Sequence, residues 1–129
     1  YWKQPGVPHV AEFVADIRKR NGGRVPPERN WFGYTSVMTF AHVANQPKSL
    51  DAVKLAQALS DFELPPEVKL QPNNVYFRAG DQQLMSSEFP GQIIQDGVYP
   101  HLLKVADIVP GDKIALSVKD TGCKLDYQS

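Results

Sequence analysis

The sequence predicts an α/β chain, three helices followed by short strands, that is incomplete on its own. Two observations set the class. Up to Pro65-Pro66 the apolar residues recur at helical spacing. Beyond that pair they fall in short β-rich runs between Gly, Asn and Pro. A third observation argues incompleteness: the middle helix is apolar on nearly every side, yet little of the chain is left to cover it.

The first helix is expected over Pro8 to Asn21. Val10, Phe13, Val14 and Ile17 stand at i, i+3, i+4 and i+7 and make one stripe. Pro8 suits a first turn, where its missing N–H costs nothing. Arg18, Lys19 and Arg20 sit where a helix C-terminus favours cations. Gly22-Gly23 supplies the left-handed stop. Val25-Pro26-Pro27 is a connector, since neither proline continues a helix.

A second helix is expected over Trp31 to Asn45, with Asn30 as its N-cap. Phe32, Tyr34, Val37, Met38, Phe40, Ala41, Val43 and Ala44 surround it, and the whole circumference is expected to be buried. Ser49 or Asp51 then caps a third helix with Leu50, Val53, Ala56 and Leu59 inward. Pro65-Pro66 closes it. Strands are expected at Val75-Tyr76-Phe77, at Gln92-Ile93-Ile94 and, more firmly, from Leu102 to Val109. Lys113 onward reads as an extended tail.

The 129 residues suffice for one ordinary domain. Fourteen basic residues balance fourteen acidic ones, so no overall field draws a polyanion and nucleic acid is not an expected partner. No apolar run reaches the ~20 residues that span a bilayer. The start, Tyr1-Trp2-Lys3-Gln4-Pro5-Gly6, has neither the basic nor the apolar region of a signal peptide. It lacks an initiator Met, as expected of a piece of a longer product. The single Cys123 has no internal disulfide partner.

Catalytic patterns are missing. His9, His42 and His101 stand in different elements without metal-ligand spacing, and there is no nucleophile elbow, phosphate loop or dinucleotide fingerprint. Asp81 and Glu88 are paired carboxylates or, as favoured here, Asp81 merely shapes the Ala79-Gly80-Asp81 turn. No enzymatic activity, metal or cofactor is expected. The aromatic residues are the more informative feature. Tyr1 and Trp2 open the chain, and Trp31, Phe32 and Tyr34 head the second helix. Such residues either wall a small-molecule pocket or simply pack.

Five segments then fall in a recognisable order: a Phe-bearing helix ending in Gly22-Gly23-Arg24-Val25-Pro26; Gly33-Tyr34 at the head of a long apolar helix; Ser49-Leu50-Asp51-Ala52-Val53-Lys54-Leu55-Ala56; Val75-Tyr76-Phe77-Arg78-Ala79-Gly80-Asp81-Gln82-Gln83; and Ile108-Val109-Pro110-Gly111-Asp112 with the Thr121-Gly122-Cys123 tail. Together they cover the chain. It resembles the C-terminal portion of a type I periplasmic solute-binding protein, of the kind that serves branched-chain amino-acid and related ABC transporters. Gln82 stands where that family has His.

The resemblance implies part of a two-lobed α/β fold joined by crossovers. Residues 1–78 would belong to the first lobe, and residues 79–129 would return towards the second. It implies a non-catalytic receptor outside the cytoplasm, holding an amino acid or related organic acid in the inter-lobe cleft and signalling to an ABC permease. Trp31, Tyr34, Tyr1 and Trp2 are the expected ligand-lining residues. The remainder of the same protein or a second copy is the expected cover for the apolar helix. A ligand-sensing regulator of the same fold and an unrelated interaction domain remain alternatives.

Overall fold

The computed structural model describes residues 2–125. In chain order it has α1 (Val10–Arg20), α2 (Glu28–Asn45), α3 (Ala52–Leu59), α4 (Pro66–Lys69), β1 (Tyr76–Phe77), β2 (Leu84–Met85), β3 (Gly91–Ile93), β4 (Leu103–Val105), a 3-10 turn at Gly111–Lys113 and α5 (Val118–Thr121). The three long helices precede the strands, as the sequence predicts.

α1 starts two residues later than expected, since its N-cap is His9 with φ 63° and Pro8 lies before it. Gly22 and Gly23 follow its end with φ of 56° and 82°. These left-handed values cost a residue with a Cβ far more than glycine. α2 begins earlier than predicted. Its N-cap is Pro27, not Asn30, and no side chain caps it. Asp51, rather than Ser49, caps α3 by accepting from the Lys54 N–H at 3.0 Å. Ser49 Oγ supports that cap by accepting from the Asp51 N–H.

The structure adds elements that the periodicity did not show. Pro66 starts the short α4, because proline is preorganised for a first helical turn. β2 pairs antiparallel with β1, Tyr76 opposite Met85 and Phe77 opposite Leu84. On the other edge, β1 exchanges backbone bonds with the segment 61–64, among them Leu64 N to Val75 O at 2.8 Å and Phe77 N to Phe62 O at 3.0 Å. β3 and β4 form a hairpin with Ile93 opposite Leu103. The predicted strand from Leu102 to Val109 is shorter than expected. The regular ladder ends at Val105; beyond it the Ala106 N–H donates to the Pro90 carbonyl at 2.9 Å and a bridge joins Val109 to Glu88. The expected extended tail instead contains the 3-10 turn and α5, the latter capped by Ser117, which accepts from the Asp120 N–H. Gly111 permits the chain to pass this close to Ser86, whose carbonyl oxygen would lie 2.5 Å from an added Cβ.

The core lies where α2, α4 and β1 meet. Leu64, Val68 and Val75 are fully enclosed, with Trp31, Met38, Phe62, Phe77 and Leu84 packed around them. α2 turns Thr35, Thr39 and Val43 inward. The chain itself thus leaves most of this helix uncovered, as expected where the cover lies outside it, although Val43 is buried. Val37 is 68% exposed, Phe40 55% and Phe32 51%, and Ala41 is exposed too. The physical reason is spacing. Small β-branched side chains let α2 approach α4 closely, and Thr35 Oγ1 donates to the Val68 carbonyl. In α3 the expected inward Leu50 and Val53 are exposed, while Leu55, Ala56, Ala58 and Leu59 are half-buried.

The β1–β2 turn is fastened at three points. Arg78 grips Asp81 through two bonds, Nη2 to Oδ2 at 2.5 Å and Nε to Oδ1 at 3.0 Å. Its Nη1 donates to the Leu116 carbonyl at 2.9 Å, which holds the C-terminal segment. Gln82 donates to the Ala56 carbonyl of α3. Asp81 thus shapes this turn, and Arg78, not Glu88, is its charged partner.

Two outcomes are expected from denaturation experiments. Leu64→Ala, at the centre of the core, is expected to cost about 2–5 kcal/mol. Phe40→Ala, although it removes a larger side chain, is expected to change stability by no more than about 0.5 kcal/mol. Equal losses in urea unfolding would contradict the packing described here.

The second outcome concerns acid. Hydrogen bonds from Arg78 hold the Asp81 carboxyl below the ordinary aspartate range, outweighing the upward pull of burial. A carboxylate so depressed contributes stability above its unfolded value of about 3.9, and that contribution is lost as pH falls through the folded value. Asp81→Asn is therefore expected to be less stable than the parent at neutral pH, with the gap closing below about pH 4. A gap constant from neutral to acid pH would show that the pair contributes nothing.

Candidate functional site

The site grows out of the end of α4. This helix is so short that its final carbonyls have no partners within it. Side chains from elsewhere supply them. Tyr34 Oη donates to the Glu67 carbonyl at 2.9 Å, Thr35 Oγ1 to Val68 at 3.3 Å and Trp31 Nε1 to Lys69 at 2.8 Å. Gln4 Nε2 donates to the next carbonyl, Leu70, at 3.2 Å. Leu70 itself is left-handed, with φ 47° and ψ 29°. That conformation is unfavourable for leucine, and it accompanies a side chain that is almost wholly buried.

These bonds fix the Trp31 indole. One part of it packs on the core, and Phe32 meets it edge-on with ring centres 5.1 Å apart. Another part faces a cleft of about 660 Å³ between the head of α2, the loop 86–89 and the far end of the β3–β4 hairpin. Trp2 and Phe89 stand on the same cleft, and His101 packs against Trp2 with ring centres 5.8 Å apart. Tyr99 closes one side, its hydroxyl accepting from the Val25 N–H at 2.9 Å. A second groove, of about 860 Å³, runs along β4 and shares Phe89, His101 and Leu103 with the first.

Of the four residues singled out from the sequence, the structure brings Trp2 and Trp31 together on this cleft. Tyr34 is not among its walls. The Tyr34 ring leans on Phe13 of α1 with centres 5.2 Å apart, and its hydroxyl is engaged by α4. Tyr1 lies outside the described residues. Sequence reasoning missed Gln71, Glu88 and the hairpin end. Nothing in their local pattern marked them, because loops and a hairpin bring them to α2 from far along the chain.

The polar lining is specific. Gln71 is only 7% exposed, and its Oε1 accepts from the Ser87 N–H at 2.9 Å. Ser87 Oγ in turn donates to the Pro72 carbonyl and accepts from Asn73 Nδ2. The loop carrying Ser86, Ser87, Glu88 and Phe89 is thereby pinned to the segment after α4. Glu28 and Glu88 contribute the cleft's carboxylates, and no Lys or Arg lines it. Among the described residues no group of His, Cys, Asp and Glu is placed to hold a metal ion.

No protein-family model matches the chain, and no curated protein matches it in sequence. Its fold is similar to that of an ABC-type branched-chain amino acid transporter from Rhodopseudomonas palustris CGA009. The TM-score is 0.71 at 22% sequence identity, and the match covers 92% of this chain and 31% of that one. The chain thus has part of the α/β fold of that neighbour. The chain spans about a third of its structural neighbour's length. No helix among the described residues is long and apolar enough to cross a membrane.

Trp31 now has two jobs, and its variants separate them. Trp31→Phe keeps a ring at the core and cleft but strands the Lys69 carbonyl, so a cost of about 0.5–1.5 kcal/mol is expected. Trp31→Ala also opens a cavity beside Val68, and about 3–5 kcal/mol is expected. Both are read by urea unfolding. A Trp31→Ala variant as stable as the parent would mean that the indole faces only the cleft.

Proposed function

We propose that this chain forms part of an extracytoplasmic solute-binding receptor that serves an ABC permease. It takes an amino acid or related small organic molecule in the Trp2–Trp31 cleft and carries out no chemistry on it. The observation that carries the reading is the fold match over 92% of the chain to an ABC-type branched-chain amino acid transporter. The cleft adds physical support. Its mixture of aromatic surface and a few fixed polar groups is typical of small-molecule sites. On this reading residues 1–78 belong to the first lobe and residues 79–129 lead towards the second. Trp2 and Trp31 touch the ligand, while Tyr34 positions Trp31 by holding α4.

A thermal-shift screen of the full chain against the common amino acids and small organic acids tests this. A ligand that binds only the folded state stabilises it by about 2.7 kcal/mol at a hundredfold excess over Kd. At least one compound is expected to raise Tm and to be recovered unchanged. If no compound raises Tm, or if the one that does is converted to product, the receptor reading fails.

A further inference from the structure

We propose that the cleft selects a small organic cation bearing a hydrogen-bond acceptor, in preference to a neutral or anionic molecule of the same shape. This rests on the receptor reading above and specifies the charge of its ligand.

Three independent features of the wall agree. The first is aromatic surface. Trp2, Trp31, Phe32 and Phe89 line one cavity, and the face of an indole or phenyl ring attracts a cation through its quadrupole. The second is charge. Glu28 and Glu88 both line the cleft, with no Lys or Arg among the lining residues. An anionic guest would meet two carboxylates and no fixed cation, whereas an ammonium guest finds both carboxylates favourable.

The third feature is a prepared donor. Gln71 is more than nine-tenths buried, and the Ser87 N–H fixes its Oε1. The amide therefore cannot rotate freely, and its Nε2 has no partner among the described residues. Neither N–H of that amide is used within the described residues. Because Gln71 lines the cleft, they can be donated to a carbonyl or similar acceptor on the guest.

One feature opposes the assignment. The head of α2 borders the cleft, and a helix N-terminus favours anions. Here the effect is weakened at its source. Pro27, the N-cap, offers no N–H, and Glu28 places an acid in the first turn. The dipole end already has its negative charge, so the two carboxylates and the aromatic faces decide the sign.

The molecule provides its own reporter. Trp2 and Trp31 are the two tryptophans of the sequence, and both line the cleft. Intrinsic fluorescence of the full chain therefore reads cleft occupancy. Three probes share one shape and differ in charge: betaine amide with its trimethylammonium group, 3,3-dimethylbutanamide with carbon in place of that nitrogen, and 3,3-dimethylbutanoate. The cation is expected to give a saturable change at a concentration about tenfold below that of the neutral amide. The anion is expected to bind more weakly than either.

In the Glu28→Gln/Glu88→Gln double variant the cation's advantage is expected to fall to about twofold, with circular dichroism unchanged. The single Glu88→Gln variant, away from any helix end, gives the same direction should the double variant fold poorly. A neutral amide or anion that binds as well as the cation overturns the charge assignment and leaves the receptor reading standing. So does a silent cleft with all three probes when the thermal-shift screen has found a ligand. Silence in both experiments overturns both proposals.

Discussion

Four successive carbonyls, Glu67 to Leu70, organise this fold. α4 is too short to satisfy them, and for those of Val68, Lys69 and Leu70, which are buried or partly buried, a missing donor is expensive. Tyr34, Thr35, Trp31 and Gln4 each give one hydrogen to one of these oxygens. Three of the donors are on the first turns of α2, and the fourth is on the N-terminal segment. One small structural debt therefore fixes the height and rotation of α2 over the core. It also ties down the segment that carries Trp2. The helical wall of the cleft, with Trp31, inherits its position from this set of bonds.

That arrangement explains which face of α2 turns inward. A hydrophobicity argument chooses Phe32, Val37 and Phe40, because they are large and apolar. The structure chooses Thr35, Thr39 and Val43. The face that bears donors and small side chains wins, because α4 must come close enough to be bonded. Sequence periodicity has no access to this decision. A helix apolar on all sides gives no preferred direction, and the carbonyls that break the tie belong to an element the periodicity does not reveal. Pro65-Pro66 reads as an end to α3, yet Pro66 also opens α4.

Local signals were legible where local chemistry decides. The Gly22-Gly23 stop, the Asp51 cap and the order of helices before strands all follow from residues within a few positions of the feature. The strand at Tyr76 and Phe77 was legible for its β-branched and aromatic composition. Its partners were not, since the 61–64 segment and β2 carry no alternation of their own. The candidate site divides the same way. Trp2 and Trp31 were legible as aromatics in unusual places. Gln71 became meaningful only once Ser87, sixteen positions later, was seen to hold its amide. Tyr34 lies off this cleft with its hydroxyl on the Glu67 carbonyl, and sequence cannot say whether a tyrosine hydroxyl faces a cavity or a carbonyl.

The two walls of the cleft differ in how firmly they are held, and this bears on what the cleft can do. The helical wall stands on the core through Trp31 and through the α4 carbonyls. The opposite wall is the end of a two-stranded hairpin, and such a hairpin is marginal by itself in water. Its apolar residues Ile93, Val98 and Leu102 remain exposed, so little burial anchors it. What holds it is the Glu88–Val109 bridge at its base and, near its end, the Tyr99–Val25 bond and the packing of His101 on Trp2. A segment with few buried contacts opens at low free-energy cost. The cleft therefore joins a rigid aromatic wall to a compliant one. A guest that bridges them gains contacts on both sides and orders the hairpin as it binds. The ordering cost is subtracted from its affinity. Any further cover for the exposed faces of the hairpin and of α2 would lower that cost, because the compliant wall would then be fixed before the ligand arrives.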